Sequence, residues 1–264
     1  MPKASLRHYA CGGNIHELSQ VYKGCEREQR TFPAGVFLFE HANGQRVLYD
    51  TGYAPSMHGT GWFGRLYSKI LKPIVNEGET VDKRLESDGI DPRSIGHVVL
   101  SHLHPDHIGG MRYFPESTFV LSEQTHASIT NHRLRDGVVT QLIPEWFDDA
   151  PKIILSGTDL DQPSGSVVDG YDLFDDESYI LTGLPGHAAG HIGALVNSQA
   201  LLAGDASWGV DLLPHSDQLK VLPRFITHDF NAYVDTANKL QVLASRGIAI
   251  HLSHDAYDQQ ELLG

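Results

Sequence analysis

Two mixed β-sheets flanked on the outside by helices, an α/β architecture, are what the order of patterns along these 264 residues predicts. Apolar runs of strand length come first, helical periodicity interrupts them, and a second run of strands follows. The chain then closes on one amphipathic helix and one further strand. No low-complexity linker divides the halves and no internal repeat shows, so residues 1–264 read as one domain. With 41% hydrophobic and 20% charged residues the chain can build a core, and no segment is obliged to stay disordered.

Residues 5–10, 35–40 and 45–50 read as strands. The turn His41-Ala42-Asn43-Gly44 suits a hairpin between the last two, so the chain opens in antiparallel sheet. In "GTGWFGRLYSKILKPIV", Trp62, Phe63, Leu66, Ile70 and Leu71 recur at near-helical spacing, which predicts a core helix in preference to an amphipathic flap. Thr80 can cap a helix that Gly89 ends, and residues 95–101 then form a buried strand. A strand at 118–121 leads into a helix from about Ser122, followed by a loosely patterned stretch through Trp146. The second run of strands is 152–155, 179–183, 193–197 and 200–203. Tyr233, Ala237, Leu240 and Ala244 mark the amphipathic helix, and 248–252 the last strand.

Acidic residues number 33 against 20 basic ones, a formal charge of -13, so a nucleic-acid backbone would meet net repulsion. Arg65, Lys69 and Lys72 are spaced as a solvated helix face and form no basic patch. No window approaches the roughly 20 apolar residues that span a bilayer, and "MPKASLRHYACGG" lacks the apolar centre of a secretory signal. A cytoplasmic protein with no membrane or nucleic-acid partner is expected. In that compartment Cys11 and Cys25 stay free thiols.

The chemistry concentrates in "LSHLHPDHIGG", directly after Val98-Val99-Leu100. Alternate residues of an extended segment share a face, so His102 and His104 can bind one ion. Asp106 and His107 follow where the chain turns into a helix, and they can serve a second. Gly109 and Gly110 let that turn pack without Cβ interference. Four residues do not complete two coordination shells, so later strand ends must supply more ligands. His187 in "LPGHAAGH", Asp205 in "LLAGDAS" and His254 in "HLSHD" each stand at such an end. His58, His97, His126, His132, His215 and His228 read as surface or core histidines.

With His102-Leu103-His104-Pro105-Asp106-His107 matching His-x-His-x-Asp-His, the chain resembles the metallo-β-lactamase superfamily of αββα hydrolases. Asp50-Thr51-Gly52, His187, Asp205 and His254 extend the match over most of the chain. The resemblance implies an αββα sandwich in which His102, His104 and His187 hold one zinc and Asp106, His107 and His254 the second. Asp205 would bridge them. It also implies that His191, Asp50 and Ser101 support the ligands and that His251 faces away.

All seven ligands offer nitrogen or oxygen, which suits two Zn²⁺ and leaves Mn²⁺ or Fe open. Two such ions sharing a water lower its pKa toward ~7, so the nucleophile is hydroxide and no Ser or Cys nucleophile is needed. Asp106 is the expected catalytic residue, orienting that hydroxide or passing its proton to the leaving group. "RTFPAGVFLFEH", "VLYDTGYAP", "LPGHAAGH" and "GDAS" together resemble the N-acyl homoserine lactonase-like branch, implying a small lactone or ester as substrate. Trp208 departs from that branch, which carries a tyrosine three residues after the bridging aspartate. An indole N–H donates a hydrogen bond but cannot replace the phenol as acid or base. A glyoxalase II-like thioesterase and a non-catalytic metal-containing sensor are the alternatives. The sequence leaves the oligomeric state open, a homodimer included.

Overall fold

The computed structural model describes residues 4–57, 59–258 and 260–263. The elements are β1 (Ser5–Glu17), α1 (Leu18–Val21), β2 (Gln29–Glu40), β3 (Arg46–Tyr49), α2 (Gly61–Leu71), α3 (Val81–Ser87), β4 (His97–Val99), α4 (Pro105–Ile108), β5 (Thr118–Ser122) and α5 (Glu123–Ala127). They continue through β6 (Lys152–Leu155), α6 (Gly157–Leu160), β7 (Tyr171–Asp172), β8 (Tyr179–Gly183), β9 (Ile192–Val196), β10 (Ala200–Leu202), α7 (Val221–Ile226), α8 (Phe230–Ser245), β11 (Ala249–His251) and β12 (Glu261–Leu263). Among the described residues, one sheet has seven strands in the order β12-β1-β2-β3-β4-β5-β6 and the other five, β11-β10-β9-β8-β7. Both are mixed: β3 to β6 run parallel and β1 to β3 antiparallel, while β10 pairs parallel with β11 and antiparallel with β9.

Strand periodicity explains the layering. Phe37 and Phe39 of β2, Val99 of β4 and Val120 of β5 enter the core between the sheets, against Leu181, Ile192, Ala194 and Leu202. Their neighbours Val36, Leu38, Val98, Phe119 and Leu121 face the other way, onto Val81 and Leu85 of α3 and Ile108 of α4. On the second sheet Ile180, Leu195 and Leu201 turn outward to Ala237 and Leu240 of α8. Strands β3, β4, β5, β8, β9 and β10 are buried on both faces, so they read as largely apolar runs without alternation. The result is the expected αββα sandwich.

Several sequence expectations shift. β1 runs on past Ala10 because Cys11-Gly12-Gly13, which looks like a turn, is a register shift within the strand. Residues 29–34 join β2 although they contain Pro33, which is tolerated because it sits opposite Gly13 at that irregularity. Residues 152–155, grouped above with the second run of strands, pair parallel with β5 at the edge of the first sheet. Thr80 stands at the start of α3, but its side chain makes no cap. α2 is helical as predicted but is not a core helix: Trp62, Leu66 and Ile70 are exposed, and only Gly64 and Tyr67 are buried. Cys11 and Cys25 are free thiols. Among the described residues no helix is long and apolar enough to cross a membrane.

Candidate metal centre

The connections after β3, β4, β8, β10 and β11 meet at one end of the two sheets. Tyr49 donates its hydroxyl to the Ile192 carbonyl (2.8 Å) and Ile192 N–H donates to the Ser101 carbonyl (3.2 Å), which pins the sheets together there. After β4 the chain bends at Ser101, His104 is extended, and Pro105, whose fixed φ suits a first helical position, opens α4. That change of direction carries Asp106 and His107 off the line of His102 and His104. A Cβ on Gly109 would run into the backbone of Tyr53 and Ala54. The loop carrying His187 is held on two sides. Ser122 and Thr125 donate to the Gly190 carbonyl (2.7 and 3.1 Å), while His228 N–H and Asp229 N–H donate to the carbonyls of His187 and Gly186 (both 2.9 Å).

All seven predicted residues come together. The ligand atoms of His102, His104, His187 and Asp205 lie within 4.8 Å of one another, and so do those of Asp106, His107, Asp205 and His254. Asp205 belongs to both groups. The imidazoles that have outer partners turn their other nitrogen toward a shared point. His254 Nδ1 donates to the Pro33 carbonyl (2.8 Å) and His104 Nε2 to the Asp136 carbonyl (3.1 Å). Since a carbonyl only accepts, the proton must sit on those nitrogens. That turns the other nitrogens to the cluster: His254 Nε2 is hydrogen-bonded to Asp205 Oδ2 at 3.2 Å, and His104 Nδ1 lies 3.1 Å from His187 Nε2. His102 Nδ1 is bonded to Ser101 Oγ (2.9 Å) and His107 Nδ1 to Asp50 Oδ2 (2.7 Å).

The Nε2 atoms of His102 and His107 are buried with no hydrogen-bond partner, as is Asp205 Oδ1. His107 Nε2 comes within 3.3 Å of Asp205 Oδ1 without the alignment of a hydrogen bond. Orphaned buried polar atoms are costly, and these converge on one place. The donor set of imidazole and carboxylate, without thiolate, fits one or more divalent cations of the zinc type.

The residues around the ligand groups make defined contacts. Asp50, held at φ 63°, accepts from Ser101 N–H through Oδ1 and from Ser101 Oγ through Oδ2, both at 2.8 Å. His191 donates from Nδ1 to the Leu184 carbonyl (2.9 Å) and accepts at Nε2 from Asp205 N–H (3.2 Å), so it fixes the backbone of Asp205. His251 lies instead against the rings of Phe37 and Tyr257. His97, His126, His132, His215 and His228 are in neither ligand group, and His58 lies outside the described residues.

Burial acts against charge throughout the cluster, and the two aspartates decide where it is overcome. Desolvation, then His107 and His104, hold the His102 imidazole well below its ordinary value; burial and His187 lower His104 to about 4. Burial also opposes charge on His254, but Asp205 raises it to about 9, and Asp205 and Asp50 raise His107. Burial would raise Asp205, yet His254, His107 and His187 hold it well below the usual carboxylate range.

Sequence reasoning missed part of the surroundings. The Asp136 and Pro33 carbonyls are backbone atoms from distant loops, and no residue type advertises them. Gly137 permits the first contact, since a Cβ there would stand 2.7 Å from the His104 ring. Tyr67 reaches Asp106 from α2, where its spacing signalled only a helix. Trp208 is half-buried, edge-on to Phe32 at 5.2 Å between ring centres and tilted against His254 at 5.8 Å. It is a wall of the centre.

An αββα sandwich with a two-part His/Asp cluster at one end of its sheets defines the class. The sequence profile of the metallo-beta-lactamase superfamily matches residues 31–245, and the chain belongs to that superfamily. It is similar to the N-acyl homoserine lactonase AttM of Azorhizobium caulinodans, 28% identical over 84% of this chain and 82% of that protein. AttM of Rhizobium radiobacter is 30% identical over 80% of this chain and 76% of its own length. Among solved structures, AidC, a dizinc quorum-quenching lactonase in complex with the product N-hexanoyl-homoserine, superposes with a TM-score of 0.71 at 18% identity, covering all of this chain and 91% of its own.

Proposed function

We propose that this protein is a dinuclear zinc hydrolase that opens small lactones, with an N-acyl homoserine lactone as the favoured substrate. The observation that carries the reading is the pair of ligand groups sharing Asp205. The lactonases it is similar to supply the substrate class. His102, His104 and His187 would hold one ion, Asp106, His107 and His254 the other, and Asp205 would serve both. Such ions polarise a carbonyl and bring the pKa of water toward neutrality, about 7.

The chain's own residues do the rest. Asp50, Ser101 and the backbone carbonyls of Asp136 and Pro33 each hold one imidazole nitrogen, so the other nitrogen of each ring already faces the cluster. The Asp106 carboxylate orients the attacking water and carries a proton to the alkoxide released when the ring opens. Trp208 and Phe32 exclude bulk water on the His254 side.

Turnover of homoserine lactones, simple esters and thioesters by zinc-loaded protein, read beside elemental analysis, tests this. Lactone opening that chelation abolishes and Zn²⁺ restores is expected. His104→Ala and Asp205→Asn are each expected to lose metal and activity together. Zinc bound in full without turnover of any lactone would overturn the reading in favour of a sensor. Faster thioester than lactone cleavage would reassign the substrate.

A further inference from the structure

Asp106 presents its two oxygens to different surroundings. Oδ2 lies 3.8 Å from His107 Nε2 and 3.8 Å from His254 Nε2, on the ligand side of the cluster. Oδ1 faces the opposite way and accepts from the Tyr67 hydroxyl at 3.4 Å. Behind Tyr67 the bonding continues: its oxygen is 3.1 Å from the Tyr53 hydroxyl, and Asn14 Nδ2 donates to the Tyr53 oxygen at 3.3 Å. All four residues are buried.

Proton counting fixes the direction of the row. A carboxylate only accepts, so Tyr67 spends its single proton on Asp106; its oxygen can then only receive from Tyr53, whose oxygen receives from the Asn14 amide. Each donor points the same way, and aligned hydrogen bonds of this kind polarise one another. Three elements contribute: Asn14 lies in β1, just beyond the register shift, Tyr53 follows β3, and Tyr67 is the one large side chain that α2 buries. That accounts for the orientation of α2. Its apolar residues Trp62, Leu66 and Ile70 face outward while a phenol is turned into the protein.

We infer that Tyr67, backed by Tyr53 and Asn14, is the positioning residue of Asp106: it holds Oδ1 so that Oδ2 is presented to the ion shared with His107 and His254. The inference rests on the dinuclear reading above and adds to it a residue outside the ligand motif.

The test is chelator competition on zinc-loaded protein, which yields a dissociation constant for each ion, with the thermal midpoint of the metal-stripped protein measured alongside. Tyr67→Phe removes one hydroxyl and keeps the ring. One of its two constants is expected to rise about 10- to 100-fold, the usual effect of losing a ligand's outer partner, while the other stays unchanged. Tyr53→Phe, which breaks the row one bond further back, is expected to shift the same constant by less and covers the case of a misfolded Tyr67 variant. Tyr9→Phe is the control, since the Tyr9 phenol donates to Asp88 (2.8 Å), outside both ligand groups. Two unchanged constants in Tyr67→Phe, with or without a lower thermal midpoint, would assign Tyr67 to packing alone and overturn the inference. Unsubstituted protein that holds no pair of ions would overturn both this inference and the function it rests on.

Discussion

The two nitrogens of His107 have different partners: Nδ1 donates to Asp50, and Nε2 is left bare beside Asp205. Asp50 accepts three hydrogen bonds, one through Oδ1 and two through Oδ2. An asparagine keeps the shape and tolerates the left-handed backbone at φ 63°, but its amide nitrogen must replace one accepting oxygen and would face a donor. Asp50→Asn is therefore expected to weaken metal binding by about 10- to 100-fold while the protein stays folded. Metal content after dialysis against a graded chelator series reads the loss directly. Retention equal to the unsubstituted protein would mean that the Asp50 charge does not tune His107.

The short helix α4 is an element whose position is set by what it lacks. Gly109 brings its backbone against Tyr53 and Ala54, and the same approach lets Thr51 Oγ1 donate to the His107 carbonyl (2.7 Å). Adding a methyl group forces two backbone segments apart. Gly109→Ala is expected to cost about 1–3 kcal/mol, the usual range for overpacking, and to lower metal affinity as His107 moves with the helix. Denaturant titration with and without zinc separates the two effects. An unchanged midpoint in both would show that the contact relaxes freely. Helix α8 shows positioning by capping. Asp229 accepts from the N–H groups of Asn231 and Ala232 (3.0 and 3.1 Å), while its own N–H holds the Gly186 carbonyl of the His187 loop.

Over the whole molecule, the sheets also trap two histidines that take no part in the metal centre. His8 packs on Tyr257 with ring centres 4.4 Å apart, and His251 lies against the same tyrosine and Phe37. Burial lowers both to about 4, and for His8 the neighbouring His251 adds to it. In the unfolded chain each returns to about 6.5 and binds a proton more readily than the folded state does. Stability is then complete above about 6.5 and lost progressively as the pH falls toward 4, by on the order of 3 kcal/mol for each histidine. Denaturant midpoints measured from pH 7 to 4 should show this fall, and His8→Gln should flatten part of it. An equal slope in the variant would place the acid sensitivity elsewhere.

The ligand motif and the strands that carry it were legible because each announces itself locally. His102 to His107 are neighbours in the chain, and strands buried on both faces, such as Val98-Val99-Leu100, must be apolar at every position. His187, Asp205 and His254 were legible through a weaker rule, that ligands collect at strand ends. Contacts made across the fold were not legible: the facing of α2, the Tyr67 bond to Asp106, the carbonyls behind His104 and His254, and the place of β6 and β12 in the first sheet. Periodicity states that a helix has an apolar stripe but not which neighbour it meets, and a backbone carbonyl carries no residue identity. The sequence by itself determined which atoms could bind metal; tertiary structure decided which nitrogen of His102, His104, His107 and His254 faces the cluster, because only packing brings the partner of the other one into reach.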